Sequence, residues 1–570
     1  MTPARRCAAV CLAVLLATPV VLAASLEIDE RIAMRLEDGR RIVVDVLPER
    51  GEGWLSLATR MCGSRDAAGA LAEANGGRGP YIDVPVRVPW RLLREEYRYL
   101  ALRALFPRDR PGEDGWHHRP AAAALPIVDV GLWQIAEWFT GSGENWTRIA
   151  AANGLVEPIP PRDRELLVPA DLLRPLFRLQ RTGADGLLEY GEDEEGEFAV
   201  YRLRRGEALY SAVVLRFTDV IEGDGDGVVQ SAVDVIRERS GIRDVRDIPV
   251  GYPVRIPLEL LAVRYLPENH PRRVLAAIGR SEMAAIEVPR RPRTLDGIHV
   301  VLDSGHGGED PGAMLHGAWE SDYTYDVACR VKRLLERETG ATVHMIVRDT
   351  ETGCRIANGS RLVRNRKEVI ASTPPFRIDS RARTTPAVHM RWMVANSLYG
   401  RLTGRGKVPS ENVVFLSLHA DSLHRSVRGA MVYVPGARYR RSKVSVRRSV
   451  LKRHKEYTPT VRFTRRQRLR DEKISTRLGE ALLDGFRHEK LLVHKDRPLR
   501  THIVRKLRRR RPPARFVPAV LAANRIPAKV LVELVNLNNR EDARTLLDPN
   551  ARERMARAIV RGLETFYGGE

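Results

Sequence analysis

The strongest constraint on this chain is the apolar run Ile298-His299-Val300-Val301-Leu302, which breaks at once into Asp303-Ser304-Gly305-His306-Gly307-Gly308. A short continuous apolar run bounded by a glycine turn reads as a strand covered on both faces, not as an alternating, half-solvated one. Two further runs behave alike: Val413–Leu418 leads into His419-Ala420-Asp421, and Lys529–Val532 leads into Glu533. Between them, Val327, Val331, Leu334 and Leu335 are spaced for a helix over Tyr323–Glu336, with Glu320 at its start. Thr342–Val347 reads as a strand ending at Arg348-Asp349, and a later helix carries Arg391 and Ala395-Asn396. This βα alternation predicts an α/β domain with a mostly parallel twisted sheet flanked by helices. Open sheets of that kind place their sites at the carboxyl ends of strands. Four polar side chains arrive there or in the adjoining loop: His306, Glu320, His419 and Glu533.

Two imidazoles and a carboxylate are the donors a catalytic zinc takes, with a fourth position left to water. The ion lowers that water's pKa toward about 7. A second carboxylate within reach takes the proton and returns it to a leaving amine. Singly, each residue is ambiguous. A lone His is at least as often a hydrogen-bonded structural residue, and a Glu at a helix start is more often a partner of the helix dipole.

Together they form a pattern. Residues 296–568 resemble the catalytic domain of zinc-dependent N-acetylmuramoyl-L-alanine amidases, the Amidase_3 family. The matching segments are Val301–Ala313, Glu320, Arg348-Asp349, Arg391 with Ala395-Asn396, Ser417–Asp421 and Pro527–Leu534. The resemblance implies that His306, Glu320 and His419 ligate Zn2+ and that Glu533 is the catalytic carboxylate. Arg348, Arg391 and Asn396 are implied as substrate or structural support. The implied reaction is hydrolysis of the amide between N-acetylmuramic acid and L-alanine in peptidoglycan. Two departures stand out: Ser304 replaces a usual Pro, and Val535-Asn536-Leu537-Asn538-Asn539 replaces Gly, a bulky apolar residue and Ser-Asn. The second is expected to alter substrate scope more than chemistry. A zinc hydrolase acting on another envelope amide, and a non-catalytic peptidoglycan-binding protein, remain as alternatives.

The N-terminal half reads as repeats at 42–90, 127–173 and 198–260. Each runs from a helix-opening apolar turn to a second helix and a short strand closing on Val/Ile-Pro. Pro ends strand pairing by removing a donor, and Asn after the second helix suits a left-handed helix end. The order resembles the LysM module, most closely in Tyr201–Tyr210. That resemblance implies glycan binding; spacers without a sugar surface are the alternative. The third repeat lacks the Asn and carries a long loop at Glu222–Gly227. Arg91–Ala104 reads as a helical connector, Pro107–Pro126 as a linker whose His117-His118 faces solvent, and Pro289–Thr294 as the end of the modular half.

Charge is concentrated in one place. Residues 425–515 hold 30 Lys/Arg against 7 Asp/Glu, an excess equal to the whole chain's +23. Within it, Ile474, Leu478, Leu482 and Phe486 mark a core helix. The surplus is an insert at 436–470 and the run Arg508–Arg511-Pro512-Pro513; charge this dense reads as mobile or awaiting a polyanion. Some members of the resembling family carry a covering insertion here, so the insert is expected to gate the site, respond to a protein activator, or dock on an anionic envelope polymer. A solvated Arg-rich surface is the alternative. Nucleic acid is not expected as a partner, because this stretch lacks base-stacking aromatics in an exported chain. Residues 1–24, with Arg5-Arg6, the apolar Cys7–Leu22 and small residues after it, read as a signal peptide. Location in the periplasm or cell envelope follows. Cys62, Cys329 and Cys354 are expected to be packing residues, although Cys329 and Cys354 could pair.

Overall fold

A computed structural model describes residues 24–161, 164–220, 226–289, 292–447, 453–454, 456–504 and 513–568. The leader up to residue 23, most of the 222–227 loop, Arg448 and the Arg508–Arg511-Pro512 run lie outside the described residues. The chain divides into two units, Met1–Leu179 and Gln180–Glu570.

In the first unit, strands Ser25–Asp29, Ile32–Glu37, Arg41–Val46 and Val86–Pro89 form an antiparallel sheet in that order, with helices Trp54–Cys62 and Ala68–Glu73 between the last two. A second sheet joins Arg110–Pro111, Gly115–His118 and Leu166–Pro169, with helices Leu132–Thr140 and Trp146–Ala152. The segment read as a linker therefore contains two strands. Its inward residues Trp116 and His118 are buried, and Asp109 lies 2.7 Å from His118 Nδ1. His117 is not solvent-facing either: it lies 2.9 Å from Asp114 and 3.2 Å from Glu165. Gly and Pro at the strand ends hid a two-residue alternation.

The two repeats share one device. Asn75 Nδ2 donates to Leu71 O and Arg87 O, while Arg87 N–H donates back to Asn75 Oδ1. Asn153 makes the same three bonds with Ile149 and Leu167. Its φ is −108°, so it clips the helix to the closing strand and is not a left-handed end as expected. The third repeat, in the second unit, has strands Glu189–Asp193, Gly196–Arg202 and Pro253–Pro257 with helix Asp226–Arg239. There Ser240 Oγ takes over, accepting from Arg255 N–H at 2.9 Å.

The rest of the second unit is built on a six-stranded sheet. Its elements are β1 (His299–Ser304), α1 (Glu320–Glu338), β2 (Thr342–Met345), α2 (Thr384–Thr403), β3 (Val413–Asp421), β4 (Met431–Tyr433), α3 (Arg465–His488), β5 (Leu499–Arg500), β6 (Ala528–Asn536) and α4 (Pro549–Gly568). The strand order is β2-β1-β3-β6-β4-β5, parallel throughout except for the β6–β4 pair. Alternate residues feed two cores. Val300, Leu302, Leu416, Val530 and Val532 pack with Val327 and Val331 of α1 and Leu478 and Leu482 of α3. Val301, Phe415 and Leu531 pack with Met390 and Trp392 of α2. Coverage on both faces is why these strands read as unbroken apolar runs.

Cys329 of α1 is disulfide-bonded to Cys354, correcting the expectation that both only pack. The described part of the basic insert is also folded: Lys443–Ser445 pairs with Thr460–Arg462 as a hairpin. Its charge is tolerated because it is matched. Arg440, fully buried, donates to Asp471 Oδ2 at 2.7 Å and to the carbonyls of Ala522 and Asn524, each at 2.8 Å. Arg468 donates to Ala437 O and Arg440 O, and Arg465 to Glu282. Among the described residues no helix is long and apolar enough to cross a membrane.

Candidate metal centre

The turn after β1 carries His306 at φ +60°, followed by Gly307 at +109° and Gly308 at +60°. Left-handed backbone is uncommon for a residue with a side chain and persists where surroundings enforce it. The enforcement here is Arg391 on α2. Its buried guanidinium donates to the Asp303 carboxylate, Ser304 O and His306 O. Ser417 Oγ donates to the other Asp303 oxygen at 2.7 Å. Arg391 is thus a structural support, and the Ser304 carbonyl takes part in the same clasp.

Three side chains converge. Glu320, buried at the start of α1, accepts from Ala313 N–H at 2.9 Å and Ala420 N–H at 3.1 Å. Its Oε1 lies 3.0 Å from His419 Nδ1 and its Oε2 lies 3.2 Å from His306 Nε2. Asp310 Oδ2 sits 3.0 Å from His306 Nδ1, fixing the ring so that Nε2 faces Glu320. One donor atom each from His306, Glu320 and His419 lies within 4.8 Å of the others, and no other such group of three occurs among the described residues. Glycine is required beside them. A Cβ on Gly312, itself at φ +65°, would lie 2.4 Å from Glu320 Oε2, and one on Gly305 would lie 2.5 Å from the His419 ring.

Electrostatics fit an anionic ligand between two imidazoles. Burial alone would raise the Glu320 pKa, but His306 and His419 carry it well below the usual carboxylate range. Burial likewise opposes protonation of His306, yet Glu320 and Asp310 bring its pKa up to about 10. Two nitrogens and one oxygen facing a common point are the donor set of an open zinc site.

Glu533 is brought to the same place by register: on the adjacent parallel strands β3 and β6, it pairs with His419. Burial first, then the charges of Asp421 and Glu320, push its carboxyl well above the ordinary range, with Arg500 acting in the opposite direction. Its buried Oε2 has no hydrogen-bond partner among the described residues. The remaining sequence candidates lie elsewhere. Arg348 is exposed on the strand Val347–Asp349. Asn396 donates to Ala523 O and accepts from Arg525 N–H, holding the approach to β6. Sequence reasoning left Asp310 and Gly312 without roles, though both stand in the segment after His306. It read the Asn residues after Glu533 only as a change in substrate scope, without their hydrogen bonds. Asn536 Nδ2 donates to His424 O and Val427 O, Asn538 Nδ2 to Leu423 O, and Asn539 Nδ2 to Arg425 O.

An α/β sheet that gathers these donors at its strand ends, with a buried second carboxylate alongside, defines a hydrolase domain. Residues 300–565 match the family model Amidase_3, N-acetylmuramoyl-L-alanine amidase. Residues 300–565 are an Amidase_3 domain, with peptidoglycan amidase function. Solved structures similar to it include the N-acetylmuramyl-L-alanine amidase Ami1 from Mycobacterium smegmatis, at 19% identity over 49% of this chain and 100% of that one, with a TM-score of 0.30. The CwlD amidase from Clostridioides difficile, solved with the GerS lipoprotein, is 16% identical over 48% and 100%, TM-score 0.27. AmiC2 of Nostoc punctiforme is 21% identical over 47% and 95%, TM-score 0.26. No curated protein matches the chain.

Proposed function

We propose that the protein is an exported, zinc-dependent N-acetylmuramoyl-L-alanine amidase that separates stem peptides from glycan strands. The observation that carries the reading is the meeting of one donor atom each from His306, Glu320 and His419 within 4.8 Å, with an orphaned carboxylate oxygen on Glu533, the register partner of His419. Those three residues would hold Zn2+, which supplies Lewis acidity for the scissile carbonyl and for water at neutral pH. Asp310 keeps the His306 ring in its ligating orientation. Glu533 accepts a proton from the attacking water at Oε2 and delivers it to the departing L-alanine nitrogen. Burial serves that role, since raising a carboxyl's pKa makes it a stronger proton acceptor toward water.

The repeats supply tethering. In the second, exposed Trp133 lies over Gly143, where a Cβ would come within 2.1 Å of the ring, and Val156 and Ile159 are also exposed. In the first, Leu55 holds the equivalent helix position, and Tyr81 and Ile82 are exposed in the loop before the closing strand. Such apolar faces suit the flat side of a sugar ring, in keeping with a LysM-like role, and holding a hydrolase on its polymer raises its local concentration. The leader directs the chain to the envelope, and the basic insert is an anchoring surface for anionic envelope polymers. The test is purified full-length protein on intact sacculi, with and without chelator. Free stem peptides whose release stops with chelator and returns with zinc support the reading. Glu533→Gln should keep its zinc while turnover falls by about 10²–10⁴. Undiminished turnover in that variant refutes the proton-transfer assignment.

A further inference from the structure

We infer that the third repeat is a fixed wall of the substrate cleft, in which the ring contact Tyr210–His424 positions the repeat to engage polymer flanking the scissile amide. The inference rests on the amidase reading above and extends it to a substrate preference: long glycan strands over small muropeptides.

The repeat is not a bead on a string. Asp219, buried at the end of its short helical stretch, accepts from Arg515 Nε at 3.0 Å and Arg497 Nη1 at 3.4 Å. Arg497 also donates to Thr218 O at 2.6 Å and Leu215 O at 3.2 Å. Val504, from the segment following β5, is fully buried within the repeat's own apolar core. A shared core and a buried ionic knot make the repeat and the catalytic domain one body.

A second contact lies at the functional end of the sheet. Tyr210 packs against His424 in a tilted contact, with ring centroids 4.2 Å apart and planes at 40°. His424 belongs to the loop that leaves β3 directly after His419 and Asp421, at the same carboxyl end as Glu533. That loop is gripped by the amides of Asn536, Asn538 and Asn539, and Leu423 N–H donates to Asn536 Oδ1 at 3.0 Å. These asparagines are the residues at which the chain departs from the sequence expected after the catalytic Glu. The departure and the docked repeat therefore form one device: amides next to Glu533 rigidify a loop, and the loop's imidazole meets the repeat. A repeat fixed at this rim contacts sugar units beyond the one being cleaved. A small substrate confined to the metal centre does not reach it.

The experiment compares kcat and KM for wild-type holoenzyme, Tyr210→Ala, Tyr210→Phe and His424→Ala. Two substrates are used: intact sacculi and a soluble disaccharide-pentapeptide. Loss of an aromatic ring contact corresponds to roughly a threefold to tenfold change. The expected result is a KM rise of that size on sacculi in both Ala variants, with kcat, and kcat/KM on the small substrate, within about twofold of wild type. Tyr210→Phe restores the wild-type KM. Equal losses on both substrates, no change on either, or failure of Phe to restore overturn the inference. Should Tyr210→Ala fail to fold, His424→Ala, a partly exposed loop side chain, carries the same expectations. Wild-type protein that releases no stem peptide from either substrate refutes the amidase reading itself; active wild type with unmoved variants refutes only the wall.

Discussion

Replacing Asp471 by Ala should destabilise the second unit by about 3 kcal/mol, because one buried carboxylate answers for two buried cations. Its Oδ2 accepts from Arg440 Nη1 at 2.7 Å and Lys529 Nζ at 2.6 Å, and all three residues are at most 1% exposed. The other Arg440 bonds, to Ala522 O and Asn524 O, and that of Lys529, to Ile526 O, survive the change. Two buried charge-assisted bonds at about 1.5–3 kcal/mol each are lost, along with a weaker one from the part-exposed Arg470 at 3.2 Å. Part of that loss is recovered when Lys529, already poorly solvated, sheds its proton, which leaves about 3 kcal/mol net. Urea unfolding followed by far-UV circular dichroism measures it. Asp471→Asn, which keeps the shape and an acceptor, should cost less, and Asp471→Ala in a Lys529→Met background should cost less than in the wild type. A loss under about 1 kcal/mol in Asp471→Ala would refute the view that matched charge anchors the insert.

The Lys529 amine, brought down to about 7 by burial and then by Arg440 against the pull of Asp471, titrates well below the same group in the unfolded chain. Between those two pKa values the unfolded state binds more protons, so stability rises with pH. The wild-type minus Lys529→Met stability difference should climb from pH 7 toward pH 10 by up to about 1.4 kcal/mol per unit; a flat or falling difference contradicts it. Cys329→Ser opens a loop of sequence separation 25 and should cost about 3 kcal/mol in chemical denaturation under oxidising conditions. An equal midpoint for both proteins would count against that. Asp310→Ala frees His306 Nδ1 and should weaken zinc binding about 10- to 100-fold in chelator competition, with the fold intact by circular dichroism.

The parallel sheet was legible because Val300–Leu302, Val413–Leu418 and Lys529–Val532 are apolar on both faces, a pattern that only double coverage produces. His306, Glu320, His419 and Glu533 were legible because each sits where such a run ends or where a helix starts beside one. What escaped was whatever depends on a partner far along the chain. Nothing local marks Arg391 as the clasp of the His306 turn, since Asp303 is 88 residues away. Arg440 looked like surplus charge because its carboxylate, Asp471, lies beyond the segment read as an insert. His118 looked exposed because Phe106 and Phe139, whose rings pack against it, lie in other elements of the chain. The Asn75 and Asn153 clips were visible as residues and misread as backbone conformers, because their hydrogen bonds cross to a strand 12 and 14 positions on.

The last strand of the sheet to be synthesised, β6, sits in its interior between β3 and β4. Until residue 536 emerges, β3 and β4 have no neighbour to join them, and the carboxylate that completes the site is missing. On the reading proposed above, a chain that stops before residue 533 carries His306, Glu320 and His419 but lacks the carboxylate assigned to proton transfer, and should release no stem peptide. On the proposed function, the order of synthesis withholds the proton acceptor until the sheet's central gap is filled.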